Sequence, residues 1–248
     1  MFDNKVAIIT GGSGGIGLAA ARLLSAKGAK VLITGRRQSV LDEIASGDSN
    51  IRGFAADAGD PEAASRTVAA AIEHWGRIDI VVNNAGSGVL QPLADANAKS
   101  IADIFAVNVA GPALLAAAAI PHLERTSGAI VNISSTYGSK AASGLSLYAA
   151  SKAAVEHLTR CWALELAPKG IRVNAVASGP VETAFLRERM GLSDEQIDAV
   201  KRQEREAIPL GRRGVPGDVA RWIVSLADPD ASWITGQVIA VDGGLAIA

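Results

Sequence analysis

A tyrosine and a lysine four residues apart are the side chains best suited to share a proton. Tyr148 and Lys152 lie in the sequence YAASK, and Ser135 stands thirteen residues before the tyrosine. If residues 147–166 form a helix, the i, i+4 pair lies about 5 to 6 Å apart at Cβ. A lysine ammonium that close favours the phenolate and lowers the pKa of the phenol. The spacing indicates that Tyr148 acts as a general acid or base, although such pairs also arise on helices by chance.

A glycine-rich segment near the N-terminus predicts a dinucleotide site. The apolar run Val6–Ile9 leads into TGGSGGIG at 10–17 and then into an amphipathic stretch, which is the order strand, tight turn, helix. Gly11, Gly15 and Gly17 permit positive φ and close backbone approach, and a helix N-terminus offers free N–H groups to a pyrophosphate. A P-loop is disfavoured because no Lys followed by Ser or Thr closes the motif. A flexible glycine turn in an unrelated α/β protein stays open as the alternative.

The end of the second predicted strand indicates which dinucleotide is bound. Val31–Thr34 is followed by Gly35, Arg36 and Arg37, where an acidic residue would bind the ribose 2′-hydroxyl of NAD. No carboxylate is present there, and two guanidinium groups are suited to clamp a 2′-phosphate. We therefore expect NADP(H) as the cofactor, with NAD(H) less favoured. The alternative is that the arginines form a solvated charge pair on a surface loop.

Alternating apolar runs and helical patterns predict an α/β fold, namely a Rossmann-type doubly wound sheet of about seven parallel strands with helices on both faces. The predicted strands are Val6–Ile9, Val31–Thr34, Ile51–Ala55, Ile78–Val82, Ala129–Ile133, Ile171–Val176 and Val238–Val241. Because ligands of such sheets bind beyond the carboxyl ends of the strands, we expect the glycine loop, Arg36, Asp57, Asn84 and Ser135 to share one edge. With 248 residues, 49% of them hydrophobic, we expect one domain over residues 1–248.

Composition argues against several other classes of protein. The 24 basic and 25 acidic residues give a net charge of −1, which offers no electrostatic support for nucleic-acid binding. We see no run of eighteen apolar residues and no signal-peptide pattern, and therefore expect no membrane role and a cytoplasmic location. Cys161, the only cysteine, is expected to be a small packing residue on the helix at 147–166. Because His74, His122 and His157 are widely spaced, no metal site is expected.

Taken together, the motifs resemble those of the short-chain dehydrogenase/reductase family in its compact single-domain form, over nearly all of the chain. TGGSGGIG is similar to that family's TGxxxGxG cofactor loop, and NNAG at 83–86 is similar to its central-strand motif. Asn108 in FAVNVAG, together with Ser135, Tyr148 and Lys152, corresponds to its catalytic tetrad.

The resemblance implies hydride transfer between nicotinamide C4 and a carbonyl or alcohol carbon. Tyr148 would exchange a proton with the reacting oxygen, and Ser135 would hold that oxygen. Lys152 would bind the nicotinamide ribose and lower the pKa of the tyrosine, and Asn108 would hold a water that links Lys152 to solvent. Asp57 matches the residue that commonly meets the adenine ring. The residues expected to contact the cofactor are Gly11, Ser13, Gly14, Gly15, Ile16, Gly17, Arg36, Arg37, Asp57, Ala58, Asn84, Ala85, Gly86, Tyr148, Lys152, Val181 and Thr183.

Two positions depart from the family pattern. Gly14 stands where members that prefer NADP(H) often carry a basic residue, so the NADP(H) preference rests on Arg36 and Arg37. The family's usual Pro-Gly after the sixth strand reads Ser-Gly-Pro at 178–180, where the nicotinamide amide would dock.

Residues 182–208 are predicted to form a mobile substrate lid. SDEQ at 193–196 is a capping box that opens a charged helix through Arg205. Because glutamates offset the basic residues of this segment, a solvated charged face is favoured over recognition of an acyl-carrier protein or an anionic substrate. In the family, the helix with Asn108 and the helix with Tyr148 commonly form a subunit interface, which implies a homotetramer, with a dimer as the second option.

These observations predict an NADP(H)-dependent oxidoreductase that acts on a small-molecule ketone or secondary alcohol. Within that class a 3-oxoacyl reductase, a sugar or polyol dehydrogenase and a ketone reductase of secondary metabolism remain open. The alternative from another class is a catalytically silent dinucleotide-binding sensor or regulatory protein. The complete set Asn108, Ser135, Tyr148 and Lys152 argues against it, because a sensor needs no proton relay.

Overall fold

The computed structural model describes residues 2–248 and contains a seven-stranded sheet in which every pair of neighbouring strands is parallel. The strands are β1 (Val6–Ile9), β2 (Lys30–Gly35), β3 (Ile51–Ala55), β4 (Ile80–Asn83), β5 (Ala129–Ser135), β6 (Arg172–Ser178) and β7 (Val238–Val241). Their order in the sheet is β3-β2-β1-β4-β5-β6-β7. The prediction of a Rossmann-type doubly wound sheet is confirmed.

Helices cover both faces of the sheet because its strands are apolar on both sides. The helices are α1 (Gly15–Ala26), α2 (Gln38–Ser46), α3 (Ala63–Trp75), α4 (Ala98–Phe105), α5 (Gly111–Thr126), α6 (Ser146–Leu166), α7 (Phe185–Glu188), α8 (Asp194–Ala207) and α9 (Pro216–Ala227). Successive strand residues point to opposite faces. Ile9 and Ile33 therefore pack with α1, α2 and α9, whereas Ile8 and Leu32 pack with α3, α5 and α6.

The chain reverses its direction across the sheet next to β1. It runs outward from β1 through β2 to β3 and then returns to place β4 on the other side of β1. The chain therefore leaves β1 and β4 towards opposite faces of the sheet, with α1 on one face and α5 on the other. Doubly wound sheets bind ligands in the crevice at the carboxyl ends of two such strands.

Strand limits differ from the predicted ones where polar residues take part in the ladder. β5 and β6 each continue two residues beyond the predicted apolar runs, and their pairing ends at Ser135 and Ser178. Hydrophobic patterning does not reveal the last positions because Ser134, Ser135 and Ser178 carry polar side chains. β4 begins at Ile80 and not at Ile78, because Asp79 accepts from the Val6 N–H at 3.0 Å and pairs with neighbouring cations.

One helical stretch is both long and apolar. Residues 98–126 form a continuous helix in which a π-helical turn at Ala106–Ala110 joins α4 to α5. By length and mean hydropathy alone this helix could cross a membrane, although it contains no uninterrupted run of eighteen apolar residues. Core helices pass the same test, and Leu115, Ala119 and Leu123 of α5 are buried against the sheet.

Cys161 is not the packing residue that the sequence predicted. It lies on the exposed side of α6, whose buried face carries Val155, Thr159 and Ala163 at helical spacing. An apolar residue type does not report which side of a helix it occupies, so the error concerns orientation and not helix formation.

Buried amides connect the centre of the sheet to α6. The Asn83 side chain donates to the Asn132 carbonyl oxygen at 2.8 Å, and Asn132 donates to the Thr159 hydroxyl at 2.8 Å. Asn132 and Thr159 are fully buried. A polar group that loses its partner in such a place costs about 1–3 kcal/mol.

We expect Asn132→Ala to lower the free energy of unfolding by about 1–3 kcal/mol, because the substitution leaves the Asn83 donor without its buried acceptor. Urea unfolding measures the change. Thr159→Val and the double variant complete a mutant cycle, and the two losses should not add, since both remove the same bond. Additive losses would contradict this account of the network.

Candidate active site

Tyr148 and Lys152 lie one turn apart near the start of α6, as the spacing predicted, beside the end of β5. The Lys152 ammonium is buried and donates to the Ile133 carbonyl oxygen at 2.9 Å. It lies 5.8 Å from the centre of the Tyr148 ring. Ser135 ends β5, and its hydroxyl accepts from the Tyr137 N–H at 3.2 Å. The structure therefore brings together three of the four predicted catalytic side chains.

The expected lowering of the Tyr148 pKa is not found in this structure. Burial raises the pKa of the phenol above its usual 10.0, the neighbouring Ser135 hydroxyl opposes part of that rise, and Tyr137 adds to it. The ammonium of Lys152 does not reverse the balance, because it is bound to the Ile133 carbonyl and not to the phenol oxygen. At neutral pH the phenol is therefore protonated.

Burial also sets the protonation of the lysine. Loss of hydration lowers the pKa of Lys152 from 10.5 to about 8. No carboxylate pairs with its ammonium in the described part of the chain; its hydrogen-bond partner is the Ile133 carbonyl oxygen. Lys152 therefore stays a cation at neutral pH but titrates within reach of mildly alkaline solutions.

Asn108, the fourth predicted catalytic residue, lies in the π-helical turn between α4 and α5. Its side-chain oxygen accepts from the Ser87 N–H at 2.8 Å, and its amide donates to the Ser87 carbonyl at 2.8 Å and the Ser151 hydroxyl at 2.9 Å. A Cβ added at Gly86 would lie 3.5 Å from the Lys152 ammonium and 3.6 Å from the Asn108 oxygen. Asn108 and Lys152 thus flank the same backbone segment after β4. Sequence analysis missed Ser151, which occupies the turn between Tyr148 and Lys152.

The glycine loop is held against the segment after β4. The Asn84 amide donates to the carbonyl oxygens of Thr10 and Gly11 at 2.9 and 3.1 Å, and the Thr10 hydroxyl accepts from the Ala85 N–H at 3.0 Å. A Cβ on Gly17 would lie 2.5 Å from the Asn84 amide nitrogen. Asn84, predicted to contact the cofactor, therefore uses its side chain to fix the shape of the loop.

The loop has the form of a cradle for an anion. Gly11 and Gly15 have φ of 64° and 53°, which suits glycine alone at low cost. No side chain caps the N-terminus of α1, and a Cβ on Gly14 would meet no atom within 4 Å. Free N–H groups at an open helix start fit a pyrophosphate. The residues present therefore suit the predicted dinucleotide.

The end of β2 lies next to this cradle. A Cβ on Gly35 would lie 3.1 Å from the Ser13 hydroxyl oxygen, which explains the small residue at that position. Arg36 and Arg37 follow and are exposed. Asp57, after β3, accepts from the Gly59 N–H at 3.0 Å and leaves a second carboxylate oxygen free of that turn.

Three other residues predicted to contact the cofactor, Ile16, Ala58 and Val181, lie in different parts of the fold. Ile16, in the first turn of α1, packs against the core. A Cβ on Gly111 would lie 2.2 Å from the Ala58 carbonyl oxygen, which thus faces the start of α5. Val181 forms an isolated parallel bridge with Gly214.

The segment at 182–208 runs along the open edge of the site. The rings of Phe185 and Tyr148 lie 6.2 Å apart between centres. Leu186, Leu192 and Ile197 form a small apolar cluster that joins α7 to α8. Ser193 caps α8 through the predicted box with Gln196, and the helix runs two residues past the predicted end.

A buried arginine, which sequence analysis missed, supports the base of this segment. Arg213 Nε lies 3.1 Å from the Glu182 carboxylate, Nη2 donates to the Val181 carbonyl at 2.7 Å, and Nη1 pairs with Glu204 of α8. Burial lowers the pKa of Arg213, and Glu182 opposes that change. No sequence pattern separates Arg213 from its neighbour Arg212, which is exposed.

Within residues 2–248 no three His, Cys, Asp or Glu side chains are arranged to hold a metal ion. The site is therefore built from a phenol, a buried ammonium, hydroxyls, amides and a glycine cradle at one edge of the sheet. These groups suit proton exchange beside a bound dinucleotide.

Comparison with known proteins places this arrangement in a family. The family described as Enoyl-(Acyl carrier protein) reductase matches residues 11–246. An uncharacterized oxidoreductase of Mycobacterium tuberculosis is 41% identical over 250 residues, which cover 98% of this chain and 93% of that protein.

Solved structures agree over the whole chain. The 3-ketoacyl-(acyl-carrier-protein) reductase from Brucella melitensis, complexed with NADH, has a TM-score of 0.91 and 33% identity, with 100% of both chains covered. A short-chain dehydrogenase/reductase of unknown function from Caenorhabditis elegans, solved with cofactor, has a TM-score of 0.92 and 34% identity, covering 100% of this chain and 97% of that one. This chain therefore belongs to the short-chain dehydrogenase/reductase family, as an oxidoreductase that interconverts C=O and CH–OH groups with a nicotinamide dinucleotide.

Proposed function

We propose that the protein is an NADP(H)-dependent oxidoreductase that reduces a small-molecule ketone, or oxidises the corresponding secondary alcohol, with Tyr148 as the general acid or base. The observation that carries the proposal is the position of a protonated phenol, a buried lysine and a serine hydroxyl at the edge that also holds the glycine cradle. Nicotinamide, when bound, supplies or accepts the hydride.

The side chains divide the proton chemistry among them. Tyr148 bears a proton at neutral pH, so it is ready to donate to a carbonyl oxygen in the direction of reduction. Ser135, at the end of β5, donates a hydrogen bond to the same oxygen as negative charge develops there. Lys152 remains cationic at neutral pH and stabilises the phenolate left after transfer. Asn108 binds the Ser87 backbone and the Ser151 hydroxyl beside the lysine, and in this proposal it would also hold a water on the path to solvent.

Cofactor contacts follow the same edge. The pyrophosphate would lie in the cradle formed by Gly11, Ser13, Gly14, Gly15, Ile16 and Gly17. The adenine and ribose side would be lined by Asp57, Ala58, Asn84, Ala85 and Gly86. The nicotinamide amide would meet Val181 and Thr183. Arg36 and Arg37 bind the 2′-phosphate of NADP(H), since β2 ends without a carboxylate and guanidinium groups match phosphate geometry.

The substrate class is a ketone or a secondary alcohol. The Phe185 ring lies 6.2 Å from the Tyr148 ring between centres, and the Tyr137 phenol lies near enough to raise the pKa of Tyr148, so the pocket is mixed in polarity. A 3-oxoacyl thioester, a sugar or polyol and a ketone of secondary metabolism all carry the required group. A silent sensor has no comparable support, because it would have no use for the buried lysine beside the phenol.

The chain is one domain over residues 1–248, with residues 182–208 as a lid over the substrate. We assign it to the cytoplasm as a homotetramer, with a dimer as the second option. Apolar area for pairing these helices between subunits is supplied by Leu114 of α5, which is 39% exposed, and Leu164 of α6, which is 81% exposed.

Tyr148→Phe should abolish turnover of any carbonyl compound that the wild type reduces, while NADPH binding stays nearly unchanged, because only the transferable proton is removed. Nicotinamide absorbance measures turnover and fluorescence titration measures binding. Tyr137→Phe, which removes a neighbouring phenol and leaves Tyr148 in place, is the matched comparison and should lose far less activity than Tyr148→Phe. Substantial residual turnover in Tyr148→Phe would refute the assignment.

Burial of Lys152 predicts a pH-dependent stability. Below about pH 8 the lysine is protonated in both folded and unfolded chains, so stability does not change with its titration. Between about pH 8 and pH 10.5 the unfolded chain keeps the proton that the folded chain has lost, and stability rises with pH.

We expect the free energy of unfolding of the wild type, relative to Lys152→Met, to rise by up to about 3 kcal/mol across this interval. Urea unfolding at several pH values measures the difference, with Lys27→Met, an exposed lysine, as the control. If the free energies of unfolding of wild type and Lys152→Met differed by the same amount at every pH, burial would not shift the pKa of this lysine.

The cofactor assignment predicts that NADP⁺ binds the wild type at least about tenfold more tightly than NAD⁺, because each charged hydrogen bond to the phosphate adds affinity. The Arg36→Ala/Arg37→Ala double variant should lose most of that preference. Calorimetric titration of both cofactors measures it, and equal or tighter binding of NAD⁺ by the wild type would contradict the assignment.

A further inference from the structure

We propose that Arg189, which is carried by the segment at 182–208, is a third cationic residue of the 2′-phosphate site. Through it, NADP(H) would hold this segment over the active site in a way that NAD(H) cannot. The proposal deepens the function proposed above and rests on it.

The course of the segment brings its residues to both ends of the cofactor edge. A Cβ on Gly15, in the cradle, would lie 3.0 Å from a methyl carbon of Thr183. Phe185 follows beside the Tyr148 ring, and the Glu188 carboxylate then lies 3.8 Å from the Arg37 guanidinium. The chain thus passes from the pyrophosphate cradle to the adenosine end within a few residues, and Arg189 comes directly after the contact with Arg37.

Charges around Arg189 are unbalanced toward positive. Burial contributes most to a lowered pKa of Arg189, and Arg36 lowers it further, as does Arg37, while Glu188 and Asp57 oppose. Three guanidinium groups therefore share this place with two carboxylates. In the part of the chain that the structure describes, neither Arg36 nor Arg189 forms an ion pair with a carboxylate, so both can accept an anion.

A phosphate fits this arrangement better than the existing ion pair does. Arg37 and Glu188 are 62% and 46% exposed at the side chain and lie 3.8 Å apart, so their attraction is weak. A doubly charged phosphate offers three oxygens to planar guanidinium donors and would neutralise the surplus charge. Glu188 would then compete with the phosphate for Arg37.

Binding at Arg189 would also act on the active site. Leu186, between Phe185 and Glu188, is buried in the apolar cluster that fixes α7 to α8. When Arg189 is held at the adenosine end, α7 is anchored at both of its ends, and Phe185 stays beside Tyr148. A 2′-phosphate contact would therefore order the lid as well as select the cofactor.

A basic residue nearby provides the matched control. Arg187 lies in the same short helix but pairs with Asp194 at the start of α8 and is 60% exposed. If the segment carries only a solvated charged face, loss of Arg187 and loss of Arg189 should have the same effect on cofactor binding.

The test is calorimetric titration of the full chain with NADP⁺, NAD⁺ and adenosine 2′,5′-bisphosphate, for wild type, Arg189→Ala, Arg187→Ala and Glu188→Gln. Arg189→Ala should weaken the binding of NADP⁺ and of the bisphosphate by about tenfold and change the affinity for NAD⁺ by less than about twofold. Arg187→Ala should leave all three unchanged, and Glu188→Gln should tighten NADP⁺. Thermal unfolding establishes that each variant is folded.

Three results would overturn the proposal. If Arg189→Ala lowered the affinities for NADP⁺ and NAD⁺ equally, the residue would contact the pyrophosphate or pack within the lid. If it lowered neither affinity, the side chain would be solvated and would not contact the cofactor. Both of these results leave the preference for NADP⁺ unchanged and defeat this inference alone. A wild type that prefers NAD⁺ defeats the proposed cofactor, and the inference with it.

Lid order provides a second readout that does not depend on turnover. Hydrogen exchange in residues 182–208 should slow more with NADP⁺ than with NAD⁺ in the wild type, and Arg189→Ala should remove that difference. Equal protection by both cofactors in the wild type would contradict the coupling.

Discussion

The hydrogen bond from the buried Lys152 ammonium to the Ile133 carbonyl oxygen is the contact on which the site geometry depends. It joins α6 to β5 at the edge of the sheet and so fixes Tyr148 beside Ser135. A buried ammonium with one carbonyl partner is costly, as its lowered pKa indicates. A fold optimised for stability alone would favour an apolar residue here, so the cost agrees with a functional role.

The reversal of strand order beside β1 provides the place for the cofactor. It opens the crevice in which the glycine loop and the segment after β4 meet, and the Asn84 amide holds the two together through the carbonyls of Thr10 and Gly11. Phenol, lysine and cradle therefore belong to one rigid edge. The segment at 182–208, which we propose as a lid, is attached differently, through a small apolar cluster and the ion pairs of Arg213. So few attachments suit the motion that the proposed lid requires.

Sequence alone predicted the features that follow from local pattern. The apolar runs located all seven strands, glycine spacing located the cradle, and Ser193 with Gln196 located the start of α8. It failed where the outcome depends on contacts between distant residues. The Tyr148 pKa is raised because burial outweighs a lysine that is bound elsewhere, and neither the burial of Arg213 nor the proximity of Glu188 to Arg37 leaves any periodic trace in the chain.

The most direct test of the central claim follows nicotinamide absorbance as purified protein and NADPH meet a panel of acyl thioesters, sugars, cyclic ketones and quinones, with NADH in parallel. The account predicts that one group of carbonyl compounds oxidises NADPH, faster than NADH, and only when Tyr148 is present. Tight binding of NADPH without consumption by any member of the panel would contradict it and would favour a protein that binds the dinucleotide without turning it over.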